Sequence, residues 1–493
     1  MEERKKKLSQ KILHSKEDNA MGKRKLPVAG RLNRRDFLRL SAAAATGAMV
    51  AACAPAAPQI IEVEKEVPVE KEVVKTVVVE KEVVVEKVVK KEPILIRFHG
   101  RMGTQGDHFN HFAKKFNDEH FPDIFVKCEN FPGADYYKKL NTMIAGGAVG
   151  DGFWIYLGGG FRRYAATGVY APLDPIVEET GYDLGQFYPE AVEGCRYKGK
   201  LYGLPWCLHF GCGNILYYNK PMFDDAGIDY PDENWTYDDL LAAAKELTNP
   251  DEGVFGFLTD TSTCAGMVHF PRAWGGDVTN PEGTKTLINS PESVEGLQFL
   301  SDLFHVHKVS PLPAQVYVGT YQMFAANKLA MFTSGFWGKT VGDYVDPEVW
   351  GVAPSPKGPA GRGHVFYIDM VSATANSKHP KETFMYLTYL ASYEAGMDVY
   401  QVRNSIPGAR PDVWEDPESV ADPHFQAAAW TVKEGMPPPQ HGPANFREAE
   451  YMAALQEGLE LVWLGEAKLK DAIDEIAERA QSILDKPSLE AIS

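Results

Sequence analysis

From Pro93 onward, apolar runs alternate with amphipathic stretches, and the period of the pattern switches between two and 3.6 residues. Ile94-Leu-Ile-Arg-Phe98 reads as a buried strand, and His108–Phe121 sets Phe109, Phe112 and Phe116 at helical spacing. A second strand at Phe125–Asn130, a second helix at Ala134–Ala145, a third strand at Phe153–Leu157 and a helix at Phe161–Gly168 continue the alternation. Strands and helices in this order predict an α/β body whose parallel sheet is covered on both faces. Farther on, Thr236–Thr248 predicts an amphipathic helix capped by Thr236, with Asp239 three residues later. Ser290–Lys308, His379–Tyr393 and Ala449–Leu484 also carry largely helical periodicity.

Before Pro93 the pattern is of another kind. Val63-Glu-Lys-Glu-Val67 recurs at Val69–Val73 and Val79–Val83 and fades in Val85-Glu-Lys-Val88. Residues 59–92 hold nine Glu and seven Lys with no aromatic residue and no glycine, so the segment cannot close a core by itself. It reads as a spacer, and about 34 extended residues would reach on the order of 110 Å. The competing reading is an oligomerising stalk.

Upstream of the spacer, Arg34-Arg35-Asp-Phe-Leu-Arg39 precedes a small-residue run that ends at Cys53. A membrane-spanning helix needs roughly 20 apolar residues, so the Ala- and Gly-rich stretch Leu40–Ala52 is too short to stay as an anchor. The arginine pair resembles a twin-arginine export signal, and Val50-Ala-Ala-Cys53 resembles a bacterial lipobox. The resemblance implies cleavage before Cys53, a lipid on its thiol, and attachment to the outer face of the cell membrane. Residues 1–52 form the signal and 53–93 the tether; Met21 offers an alternative start.

Charge sharpens the picture. The net charge of −16 divides into +8 over residues 1–52 and −24 over the remainder. A body that acidic excludes nucleic acid, whose phosphates demand clustered Lys and Arg, and disfavours anionic substrates outside a local basic pocket. With Cys53 set aside, Cys128, Cys195, Cys207, Cys212 and Cys264 cannot all pair, which excludes a disulfide scaffold. Cys207-Leu-His209-Phe-Gly-Cys212 contains zinc-ligand types, but no second pair stands at finger-like spacing, so no metal and no cofactor is expected.

Several blocks then occur in a specific order: Lys198-Gly-Lys-Leu-Tyr-Gly-Leu-Pro205 with Leu216-Tyr-Tyr-Asn-Lys220, and Phe223-Asp-Asp-Ala-Gly-Ile228 with Asn234-Trp-Thr-Tyr-Asp-Asp-Leu240. Trp274-Gly-Gly-Asp277, Ser290-Pro-Glu292, Phe324–Met331 with Gly335, Pro356-Lys-Gly-Pro359 and Ser377-Lys-His-Pro380 follow. Together they resemble the extracellular solute-binding proteins of family 1, the maltose-binding-protein-like receptors of ABC importers. Two positions depart from that pattern: Gly150-Asp151 stands where Pro-Asp is usual, and Asn327 where Gly is frequent.

The resemblance implies a type II periplasmic-binding fold, two α/β lobes joined by a multi-crossing hinge with the ligand between them. The expected lobes are 94–210 plus 370–415 and 211–369 plus 416–485, with crossings near His209–Gly213, Met370–Ser372 and Arg410–Val420. The implied function is a non-enzymatic receptor that captures a carbohydrate, an oligosaccharide or related polyol, and delivers it to membrane permease subunits. A different small solute is the alternative ligand. A secreted glycoside hydrolase would need two carboxylates about 5–10 Å apart, and nothing in the sequence pairs Asp151, Asp277 or Asp369. An adhesive lipoprotein has only the repeat in its favour.

Aromatic residues make up 11% of the chain, and flat indoles suit the C–H faces of sugar rings. Trp206 after the Gly-Leu-Pro turn, Trp274 before Gly275-Gly276 and Trp337 after Gly335-Phe336 are the candidate platforms, against core packing for each. Trp337 stands where the resemblance implies sugar stacking, and Trp154 is assigned to the core. Arg101 and Tyr156 at strand ends, His209 at the first crossing, Asp369 and Arg403 are the polar candidates.

Overall fold

The computed structural model describes residues 92–133, 135–210, 213–261, 265–316, 318–402, 405–436 and 442–487. Arg34, Arg35, Cys53 and almost all of the tether lie outside them.

The first part of the body begins with β1 (Ile94–Arg101), α1 (Thr104–His120), β2 (Ile124–Phe131), α2 (Tyr136–Ala145), β3 (Gly152–Tyr156) and α3 (Phe161–Ala166). A short hairpin of β4 (Arg196–Tyr197) and β5 (Lys200–Leu201) leads into β6 (Leu204–Phe210). The second part holds β7 (Ile215–Asn219), α4 (Tyr237–Glu246), β8 (Phe255–Leu258), α5 (Pro291–His305), β9 (Leu329–Ser334) and β10 (Trp350–Pro354). Then come β11 (Phe366–Ala373), α6 (Pro380–Leu390), α7 (Pro423–Lys433), α8 (Glu448–Trp463) and α9 (Leu469–Leu484).

Two sheets result, in the orders β2-β1-β3-β11-β6 and β10-β7-β9-β8. In the first sheet the expectation of parallel pairing holds for β1, β2 and β3, while β11 runs antiparallel to both β3 and β6. The periodicity of a buried strand is the same in either direction, so the mixed sheet could not be read from it. In the second sheet β8 and β9 are parallel while β7 is antiparallel to β9 and β10.

The helices form where the pattern places them. Phe109, Phe112 and Phe116 are buried at 0–1% exposure; Phe109 meets Phe98 of β1 edge-on at 5.2 Å. Thr236 and Asp239 form a reciprocal capping box ahead of α4. The largely helical stretch Ala449–Leu484 is built as two helices, α8 and α9, which break at Gly465 in the left-handed region, φ 76°. Asn327 also lies there, at φ 54°. That explains why Asn can stand at a position where Gly is frequent: both tolerate this conformation.

Two segments between the sheets lie side by side. Phe366 pairs with Phe210 at the end of the first sheet. Asn214, 2% exposed, then takes the place of a paired residue. Its Oδ1 accepts from the Val365 N–H and its Nδ2 donates to the Val365 carbonyl, both at 3.1 Å. The crossing expected at Met370–Ser372 is therefore displaced upstream, because β11 is already bonded to β6 from Phe366. Met370, Val371 and Ser372 are fully buried, as interior strand residues are. The chain touches β6 again at Ala409, whose N–H donates to the Trp206 carbonyl, before α7 packs on β10.

Candidate functional site

In open α/β sheets ligands lie beyond the carboxyl ends of parallel strands. At that end of the first sheet β1 stops at Arg101 and β3 at Tyr156. Antiparallel pairing then puts Asp369 of β11 directly opposite Tyr156. Three of the polar candidates are thus gathered by topology. Asp369 is fully buried, and the Gln105 Nε2 donates to its Oδ2 at 3.5 Å.

Aromatic rings line the same strand ends. Tyr137 meets Tyr156 edge-on at 5.7 Å, Trp154 lies 6.5 Å from Tyr156, and the Arg101 guanidinium stands 5.8 Å from the Trp154 ring. Burial raises the Tyr156 pKa, and the charges of Glu448 and Asp369 push it the same way while Arg101 opposes them. The phenol therefore stays a neutral hydrogen-bonding group. Arg101 Nε, Tyr137 Oη and Trp154 Nε1 are buried with no hydrogen-bond partner among the described residues. Buried polar groups are ordinarily satisfied, so this cluster has capacity for hydroxyl-bearing company. Gly159 follows β3 against Tyr137: a Cβ there would come within 2.7 Å of the ring.

The second sheet presents the equivalent end through the parallel pair β8 and β9. Trp337 follows β9 by three residues and is partly exposed. Its indole folds back over Gly335, where a Cβ would lie 2.1 Å from the ring, so only glycine permits this pose. The Gly335 carbonyl accepts from the Tyr217 hydroxyl at 3.0 Å, which fixes the turn from below.

The remaining candidates fall elsewhere. Trp206 is 2% exposed, its ring packed on Phe109 and His108 and its Nε1 donating to His108 Nε2 at 3.3 Å. This corrects its reading as a platform: the indole belongs to the interior, where no ring face is open. Trp274 is half-buried against Tyr237, Phe270 and Phe299, 4.9 Å from the last, in an aromatic cluster around α4 and α5. His209 is in β6 opposite Tyr367; its side chain lies outside the described atoms, as does Arg403 altogether. Asp151 accepts from the Arg97 N–H and from the Ser377 hydroxyl, at 2.9 and 2.8 Å, and so fastens β1 to the turn ahead of α6.

Tyr137, Gln105 and Glu448 are additions that sequence reasoning missed. Tyr137 carries no motif; its only signal is a tyrosine pair at the start of an amphipathic helix. Glu448 opens α8, far away in sequence, yet pairs with Arg162 of α3 at 2.6 Å with both side chains at 10% exposure or less. Among the described residues no group of three His, Cys, Asp or Glu could hold a metal ion.

Comparison with known proteins gives a consistent picture. The family model of bacterial extracellular solute-binding proteins matches residues 103–397. An ABC transporter extracellular-binding protein of Pyrococcus horikoshii is 26% identical over 398 residues, 76% of this chain and 81% of that one. The arabinooligosaccharide-binding protein of Halalkalibacterium halodurans is 27% identical over 347 residues, 66% of this chain and 73% of that one. An ABC substrate-binding protein of Listeria monocytogenes, solved in complex with cycloalternan, superimposes with a TM-score of 0.67 at 24% identity, over 79% of this chain and 99% of that one.

Proposed function

The chain belongs to the bacterial extracellular solute-binding proteins, and from that premise we propose that it captures a carbohydrate, an oligosaccharide or related polyol, for an ABC importer. The observation that carries this reading is the pairing of strand ends. One sheet offers Arg101, Tyr156 and Asp369 with unsatisfied donors beside them. The other offers the partly exposed Trp337 indole on a glycine turn. Hydrogen-bonding groups on one side and a flat ring on the other suit a neutral molecule that is polar at its edge and apolar on its face. His209 and Arg403 are proposed contacts on sequence grounds.

The two sheets are then the cores of two lobes, 94–210 with 366–415 and 213–364 with 416–485, and closure over the sugar presents the shape that a permease reads. Family relatives bind rather than transform their solutes, and the body works outside the cytoplasm. Export through Arg34-Arg35, a lipid on Cys53 and a reach set by residues 59–92 complete the proposal; labelling with radioactive palmitate, abolished by Cys53→Ala, tests the anchor.

Isothermal titration of the full chain against arabino- and malto-oligosaccharides, pentitols and amino acids tests the ligand class. Saturable binding of a sugar that is lost in Trp337→Ala supports the reading. Binding only of amino acids would retain a solute receptor and overturn the carbohydrate assignment.

A further inference from the structure

Away from the strand ends, a cavity of about 380 Å³ opens between the β4–β5 hairpin and the C-terminal helices, lined by none of the carbohydrate candidates. Lys198 and Lys200 come from the hairpin, Phe446 and Arg447 from the turn ahead of α8, and Lys486 from the end of α9, with Tyr202 beside them. Among the described residues no carboxylate lines it. In a body with a net charge of −24 beyond residue 52, four cations around one cavity are an exception to the general field.

Among the described residues Glu450 is a counter-charge to two of these cations. It accepts from Arg447 Nη1 at 3.3 Å and also contacts Lys486, and these cations hold its carboxyl below the usual range. Arg447 Nη2 donates to the Pro487 carbonyl at 2.8 Å, while its Nε is buried with no hydrogen-bond partner among the described residues. The guanidinium is thus oriented by two bonds and retains a donor. Lys198 adds a further sign: it occupies the left-handed region at φ 49°, beside Gly199 at φ 77°. In such a hairpin turn Asn is the favoured residue at that position, so the lysine is held at a steric cost.

We propose that this cavity is a second binding site, which takes a phosphorylated sugar or polyol. Ammonium and guanidinium groups converging from three chain segments suit the several oxygens of a phosphate ester, which Arg binds through directed hydrogen bonds and Lys as a point charge. The volume falls within the range of small-molecule sites, roughly 300–1,000 Å³, and leaves room for an organic body beyond the phosphate. The rings of Tyr202 and Phe446 suit the apolar face of that body. The site stands independently of the carbohydrate reading, since it shares no side chain with it.

The test is calorimetric titration of the full chain with glucose 6-phosphate, inorganic phosphate and glucose, each repeated in sodium chloride of matched ionic strength. Glucose 6-phosphate is expected to bind at one site and inorganic phosphate to compete with it. The double substitution Lys200→Gln and Lys486→Gln is expected to weaken the ester at least about tenfold, as loss of charge-assisted bonds does. Glu450→Gln removes the competing carboxylate and is expected to tighten binding, a gain that misfolding cannot mimic. Binding unchanged in the double lysine variant, or equal heats from chloride alone, would overturn the proposal. Ester binding that is lost in Trp337→Ala but indifferent to the lysines would also overturn it, placing the ester at the carbohydrate site.

Discussion

Two tryptophans that look alike in the sequence have different surroundings in the structure, Trp337 partly exposed and Trp206 buried, and this gives the sharpest test at the scale of single residues. Trp337→Ala removes a partly exposed ring, so sugar affinity is expected to fall by about 2 kcal/mol, roughly thirtyfold, with thermal stability nearly kept. Gly335→Ala is expected to do the same without removing any group, because the new Cβ would strike the indole and displace it. Trp206→Ala should behave in the reverse way: a core cavity costs about 3–5 kcal/mol of stability while the folded fraction keeps its affinity. Calorimetry and thermal melts on the three variants separate the cases; sugar affinity lost in Trp206→Ala and intact in Trp337→Ala would invert the assignment. Adjacency to a Gly-Leu-Pro turn told nothing of which way Trp206 faces, since its burial depends on Phe109 and His108, nearly a hundred residues upstream.

Among elements, those with local causes were legible and those with distant ones were not. The Phe109–Phe112–Phe116 face and the Thr236 capping box are written in a few consecutive residues, and both form as read. Arg101 and Tyr156 were legible as strand ends, but their meeting with Asp369 depends on β11 returning antiparallel beside β3, a long-range pairing that leaves no local mark. The passage between the two sheets is another case, for Asn214 carries no local signal until it is seen bridging to Val365. Asn214→Leu keeps its approximate volume but leaves the Val365 N–H and carbonyl buried and unpaired, a cost of about 1–3 kcal/mol for each group. The melting temperature should fall accordingly, and amide exchange at Val365 should accelerate more than in β1. Acid should weaken the second sheet's surroundings as well. His269, buried beneath α4 with the Tyr237 hydroxyl 2.7 Å from its Nε2, has its pKa lowered to about 3 by burial. Between that value and the ordinary histidine pKa near about 6.5 the unfolded chain binds the extra proton, so stability rises with pH across this window. It is lost on acidification, at up to about 1.4 kcal/mol per pH unit for this group. His269→Gln should flatten the melting-temperature profile over that interval; an unchanged slope would remove His269 as its source.

For the molecule as a whole, the ion pair of Arg162 with Glu448 bears on how closure is held. Arg162 stands on α3, beyond the turn Leu157–Gly159 that follows β3 of the first sheet, and Glu448 opens α8, which packs with α5 and α9 and also against that turn. The Val309 carbonyl, just beyond α5, accepts from the Phe257 N–H of β8, which fixes that helical layer to the second sheet. On the proposed lobe division the pair links the two lobes, and both partners are nearly excluded from water. Removing one partner of such a pair leaves the other buried and uncompensated, a penalty of about 3–5 kcal/mol. If opening of the lobes hydrates both groups, that penalty falls on the closed form alone. Apparent affinity then drops by the fall in the binding-competent fraction. Glu448→Gln is accordingly expected to weaken sugar binding at least about tenfold, the charge loss being the only change at a near-isosteric side chain. Small-angle scattering should show a larger radius of gyration at subsaturating sugar and the same compact value at saturation. A lowered melting temperature with unchanged affinity and unchanged scattering would instead assign the pair to fastening α8, and closure would then be held by the sugar contacts themselves.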